Sequence, residues 1–119
     1  MDDRIYDSEL KILEILWETG ELPAKDIAGR ASEQVGWSKT TTYTVLKKCV
    51  EKGLIARTEP GFRCLALVTR QAVQEHETRG LIDRMYGGSA DLLVASLLDG
   101  KVLSGEEIAR LRKLVEAMK

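Results

Sequence analysis

Six of the seven residues from Ser38 to Thr44 carry a hydroxyl, and the seventh, Lys39, carries a positive charge. Threonine is a weak helix former, so Thr40-Thr41-Thr42 is a poor choice for making a helix start. The same residues are well suited to DNA. Hydroxyls bind phosphate oxygens and base edges, and a threonine methyl packs on a thymine methyl. A helix N-terminus favours phosphate through its free N–H groups and dipole. Lys47 and Lys48 follow on the outer side, within reach of a DNA backbone. Taken alone, the stretch reads more readily as an ordinary capped helix start with solvated threonines. Its place in the element order decides for DNA. Arg57 and Arg63 flank the turn Glu59-Pro60-Gly61, where they would touch phosphate or the minor groove. The plain alternative for each is a solvated arginine beside Glu59.

Other chemistry is absent from the pattern. There is no nucleophile motif, no phosphate-binding loop and no catalytic pair of carboxylates, so no catalytic residue and no cofactor are expected. Cys49 and Cys64 are too few and too far apart for a metal knuckle or a disulfide scaffold. Cys49 lies on the inner face of its helix and Cys64 alternates with Phe62 and Ala66 on a strand, so both read as buried structural cysteines, with a redox pair as the alternative. His76, the single histidine, reads as a surface helix residue, and no metal site is expected.

The net charge of −1 gives no hint of a nucleic-acid partner, but its distribution does. Between Trp37 and Arg70 stand Lys39, Lys47, Lys48, Lys52, Arg57, Arg63 and Arg70, against only Glu51 and Glu59. The rest of the chain is acidic. A basic centre in an acidic chain is what a local phosphate-binding surface produces.

These residues need elements to position them. Leu10, Ile12, Leu13, Ile15, Leu16 and Trp17 recur at three- and four-residue steps, which predicts a helix over 8–19 with a broad inner face, capped by Asp7 or Ser8 and stopped by Gly20. Pro23 suits a first turn, and 24–34 reads as a second helix. Its inner face is Ile27, Ala28 and Ala31, small enough for another helix to approach closely. Ser38 caps a third helix over 39–52, with Val45, Leu46, Cys49 and Val50 inward and Gly53 at its left-handed end. Strands are expected over 54–58 and 62–68, with a short third strand around Glu21 and Leu22. Three helices followed by a hairpin is the winged helix-turn-helix plan.

The remainder is helical. Thr69 caps a helix to about Tyr86, Gly87-Gly88 breaks it, and Ser89 caps another to about Leu98. After Asp99-Gly100, Ser104 and Glu107 form a capping box for the last helix. Leu81, Met85, Leu92, Leu93, Leu97, Leu98, Ile108, Leu111 and Val115 are more apolar surface than fifty residues can bury alone. A second chain is the natural partner. The fold class is therefore mostly α with a small β-hairpin: a winged helix DNA-binding domain over 1–69 and a helical dimerisation segment over 70–119.

The chain resembles the penicillinase-repressor family, the BlaI/MecI/CopY group. The resemblance rests on Leu10-Lys11-Ile12-Leu13-Glu14-Ile15-Leu16-Trp17, on Thr41-Thr42-Tyr43-Thr44-Val45-Leu46-Lys47-Lys48, on Glu51-Lys52-Gly53-Leu54-Ile55, and on Met85-Tyr86-Gly87-Gly88 before Leu92-Leu93-Val94. It implies a homodimeric repressor whose winged helices each read one half of a palindromic operator in double-stranded DNA. By position it implies DNA contacts from Ser38, Thr40, Thr41, Tyr43, Thr44 and Lys48. Tyr43 stands where well-known members carry arginine. Copper-responsive members end in a cysteine-rich motif that Ala117-Met118-Lys119 does not match. Antibiotic-responsive members are cut by a membrane sensor protease at an Asn–Phe bond, and the matching position here is Ser96-Leu97.

The expectation is a cytoplasmic repressor and not an enzyme. The charged start Met1-Asp2-Asp3-Arg4 lacks the apolar run of a secretory signal, and no stretch is long and apolar enough to span a membrane. Two alternatives stand beside it: a winged helix used as a protein-binding platform, and a redox-responsive regulator using the two cysteines.

Overall fold

The computed structural model describes residues 4–118. The chain divides into two compact units, Met1–Glu77 and Thr78–Lys119.

The first unit begins with α1 (Asp7–Thr19). Its start differs by one residue from the sequence expectation. Tyr6 occupies the cap, and its N–H donates to Glu9 Oε1 at 2.9 Å, so the carboxylate in the first turn closes the helix from inside. β1 (Leu22–Pro23) follows, and Pro23 is the extended residue that caps α2 (Ala24–Val35). At the end of α2, Gly36 turns left-handed at φ 78°. Trp37 N–H then reaches back to Ala31 O, a closure that leaves the chain free to start a new helix at once. That helix is α3 (Lys39–Glu51), capped by Ser38, whose Oγ accepts from Thr41 N–H at 3.1 Å.

β2 (Ile55–Thr58) and β3 (Arg63–Ala66) form the hairpin, and β1 adds to the far side of β3, giving the antiparallel order β1-β3-β2. Leu22 pairs with Cys64, and Ile55 with Ala66. The strands are shorter than the alternation predicts. Phe62, expected as the first residue of the hairpin's second strand, has φ 46° and belongs to the turn instead. Its left-handed backbone departs from the extended conformation of a regular strand.

The core of this unit joins every element. Ile12, Leu13, Ile27, Leu46, Ile55, Cys49 and Cys64 are fully buried, and Val73 joins them from the start of α4 (Arg70–Met85). Trp17 Nε1–H donates to Val68 O at 2.9 Å, tying α1 to the chain that leaves the sheet. Thr69 caps α4 as expected, its Oγ1 accepting from Ala72 N–H.

The second unit holds the end of α4, then α5 (Ala90–Asp99) and α6 (Gly105–Ala117). Gly87 and Gly88 are both left-handed, at φ 57° and 83°, a pair of conformations that residues with a Cβ rarely adopt in succession. The capping box of α6 is present: Glu107 N–H donates to Ser104 Oγ, and Ser104 N–H to Glu107 Oε1. Ser89 sits at the start of α5, but its hydroxyl turns to the Asp91 carboxylate instead of capping the backbone. Ile82 is the one buried residue among those described from 78 to 118. None of the described helices is long and apolar enough to cross a membrane.

Candidate nucleic-acid interface

The N-terminal half of α3 separates the hydroxyls into two sets. Thr42 faces the core, fully buried, and its Oγ1 donates to Ser38 O at 3.2 Å. Lys39, Thr40, Thr41, Thr44, Lys47 and Lys48 are exposed, and Tyr43 is half-buried. Lys39, Thr40, Tyr43, Thr44 and Lys47 line one shallow groove along the helix, as their spacing requires. Two hydroxyls of this face are already engaged. Ser38 Oγ donates to Thr41 Oγ1 at 3.0 Å, and Thr44 Oγ1 donates to Thr40 O at 2.9 Å. Both keep acceptor capacity for an outside donor.

The basic centre is less uniform than its arithmetic. Lys52 leaves this surface: its Nζ lies 2.8 Å from the buried carboxylate of Glu9, 2.5 Å from Arg4 O, and 5.0 Å from the ring centroid of Tyr6. It clamps the end of α3 to the start of α1. Arg70 stacks on Trp17 at 4.9 Å. The cations of the exposed α3 face are Lys39, Lys47 and Lys48.

The hairpin turn is organised around Phe62, which the alternation pattern places in a strand. Its carbonyl accepts the first N–H of α2, from Ala24, at 2.9 Å. Its ring meets Tyr43 of α3 edge to face, 5.8 Å between centroids. The Arg57 guanidinium lies over the same ring, 3.7 Å from its centroid. Arg57 Nε donates to Glu59 Oε2 at 2.6 Å, and Phe62 N–H to Glu59 Oε1 at 3.2 Å. The Arg57 hydrogen bond, followed by the Phe62 N–H, holds the Glu59 carboxyl below the usual carboxylate range. Arg63 is held in the same manner, its Nε 2.6 Å from Glu21 Oε1. The sequence pattern does not single out Phe62, Glu59 or Glu21 as site residues. Phe62 is the only phenylalanine of the chain and follows a Pro-Gly turn, which is the one signal that marks it.

Cys49 and Cys64 are free and fully buried. Burial, with Glu9 nearby, pushes the Cys49 thiol up to about 12, and burial pushes Cys64 up as well. A reactive thiolate needs the opposite environment. Among the described residues no cluster of His, Cys, Asp and Glu is suited to a metal. His76 is exposed on α4.

The residues expected to dimerise lie on three helices. Leu81, Met85, Leu92, Leu98 and Val115 are exposed, while Leu93, Leu97, Ile108 and Leu111 are half-buried. Ser96 and Leu97 lie within α5, and Tyr86 Oη donates to Ser96 Oγ at 3.2 Å.

Three packed helices, a small antiparallel sheet and a cation-bearing, hydroxyl-rich α3 define a winged helix-turn-helix protein. The solution structure of the DNA-binding domain of the repressor BlaI aligns with 59% of this chain and 88% of its own length, with a TM-score of 0.54 at 21% identity. The profile of the family described as penicillinase repressor matches residues 5–117. The chain belongs to the penicillinase repressor family, whose characterised members are DNA-binding transcriptional repressors. The penicillinase repressor of Bacillus licheniformis is 25% identical over 118 residues, covering 98% of this chain and 92% of that protein. The methicillin resistance regulatory protein MecI of Staphylococcus aureus is 26% identical over 120 residues, covering 97% and 98%.

Proposed function

We propose that this protein is a homodimeric transcriptional repressor of the cytoplasm that binds a palindromic operator. Residues 1–69 form the reading domain. Residues 70–119 form the dimerisation segment, with the first turn of α4 anchored in the reading domain through Val73. Each α3 enters a major groove, with Ser38, Lys39, Thr40, Thr41, Tyr43 and Thr44 at base edges and nearby phosphates. Lys47 and Lys48 bind the backbone, and Arg57 and Arg63 extend the contact as a wing.

The observation that carries this reading is the single exposed face of α3, where cations and hydroxyls share one stripe while Thr42, Val45, Leu46 and Cys49 face the core. The family membership supports repression. The apolar residues left exposed on α5 and α6 support pairing with a second copy, since one chain gives them no core. Release follows from cleavage near Ser96-Leu97 by a membrane sensor protease. The bond lies inside a helix, so the protease needs α5 to open locally first.

Selection of bound duplexes from a random pool tests the reading. The expected product is a palindrome with half-sites separated by about one helical turn or a multiple of it. Recovery of no enriched sequence, or of a single unrepeated half-site, contradicts it.

A further inference from the structure

The wing carries two arginines, and each is already engaged by a carboxylate of the same chain. Arg57 holds Glu59 and Arg63 holds Glu21, both through Nε at 2.6 Å. All four side chains are about half exposed, so these pairs contribute little to the fold and open without harm to it. A guanidinium presents the same planar fork to a carboxylate as to a phosphate. The anion on Arg57 is therefore chemically a stand-in for a DNA phosphate.

The surroundings keep Arg57 aimed when that anion leaves. Its guanidinium rests on the face of Phe62, and Phe62 is braced by Tyr43 of α3 and by the backbone bond from Ala24. Stacking leaves Arg57 with less freedom to lose on binding phosphate. The brace from Tyr43 also fixes the guanidinium relative to the reading helix.

We propose that Glu59 sets the DNA affinity of the wing: it occupies on Arg57 the place of a phosphate, and the wing grips DNA by exchanging one anion for the other. Glu21 acts on Arg63 in the same way. The inference rests on the DNA-binding reading of α3 and the hairpin.

The test uses the full-length chain and a mixed-sequence duplex of about three helical turns, because phosphate binding does not depend on sequence. Binding is followed by fluorescence anisotropy over a range of salt. Glu59→Gln keeps an acceptor for Phe62 N–H and removes the charge. It is expected to bind about two- to fivefold more tightly for each wing engaged, the equivalent of one exposed ion pair per wing. Glu21→Gln, which leaves the turn untouched, is expected to give a gain of the same order. Arg57→Ala weakens binding, and lowers the slope of log K against log salt by about 0.9 for each phosphate it no longer neutralises. In the Arg57→Ala background, Glu59→Gln loses most of its effect. Equal gains with and without Arg57 would mean that Glu59 acts only as a distant negative charge, and would overturn the proposal. So would unchanged affinity in both glutamine variants while the wild type binds. A wild type that retains no duplex at low salt overturns the DNA-binding reading itself, an outcome separate from any failure of the variants.

Discussion

The first unit and the second are built from similar helices and differ in what those helices bury. In the first, α1, α2 and α3 direct Ile12, Leu13, Ile27 and Leu46 into one core, and the sheet and Val73 close it. In the second, α5 and α6 bury no residue, and Leu92, Val115 and Met118 are 53%, 58% and 84% exposed. Exposed apolar area of this kind is unfavourable by about 25 cal/mol per Å² until something covers it. A domain that completes its own core can hold a rigid reading surface. A segment that leaves its apolar residues outside is what the proposed pairing with a second copy would cover. On the proposed reading one chain separates recognition from association, and either is then expected to be removable without the other.

The largest expected effect comes from removing the association half. A chain truncated after Ser96 keeps residues 1–69 and loses α6 together with the end of α5. Operator affinity should fall by about 10²–10⁴-fold, the gain that linkage of two binding modules supplies. Gel-shift titration against the selected operator measures it. Equal affinity of truncated and intact protein would show that the second unit has no part in operator binding.

Paired leucine substitutions place the two regions on one scale. Leu46→Ala, at a fully buried site of α3, should cost about 2–5 kcal/mol in urea denaturation, independent of protein concentration. Leu98→Ala, at an exposed site of α5, should act through concentration instead. It should shift the monomer–dimer balance in sedimentation and leave the reading domain intact. If Leu98→Ala changes neither stability nor association, α5 is an ordinary solvated helix and the contrast between the units fails.

Within the reading domain, joint replacement of Thr41 and Tyr43 by alanine should reduce discrimination between operator and random duplex by about tenfold or more, at roughly 1–3 kcal/mol for each base edge no longer read. Far-UV circular dichroism should still show the helices, since Thr42 and the rest of the inner face remain, while the edge-to-face brace of Tyr43 on Phe62 is lost. The smallest effect is expected from Lys48→Ala. It should weaken binding to every sequence alike and flatten the salt dependence by about 0.9 for each phosphate left without its lysine on a half-site. A sequence-dependent weakening would move Lys48 from the backbone to a base edge.

Thiol chemistry probes the first unit alone, which holds both cysteines. Cys49, with its pKa pushed up to about 12 by burial, and the buried Cys64 should resist alkylation in the native protein at neutral pH and react once urea unfolds the chain. Rapid native modification of either one would reopen the redox reading.

Local pattern is enough for much of this molecule. The three- and four-residue spacing of Leu13, Leu16, Val45 and Cys49 marks the inner faces, because a helix repeats every 3.6 residues whatever surrounds it. Ser38, Thr69 and Ser104 mark helix starts, because a cap acts on N–H groups two or three residues away. The hydroxyl-and-lysine stretch at 38–48 is legible for the same reason: one helix determines which of its residues share a face. What remains for the tertiary structure lies between residues far apart in the chain. Lys52 counts among the basic residues of the centre, yet it is engaged by Glu9, forty-three positions away. Arg63 meets Glu21 across forty-two. Phe62 alternates like a strand residue, but the packing of Tyr43, Arg57 and Ala24 around it holds it in a turn. Periodicity records only which side of an element a residue is on. Which distant charge or ring it meets there depends on how the elements pack, and that packing decides which cations remain for DNA.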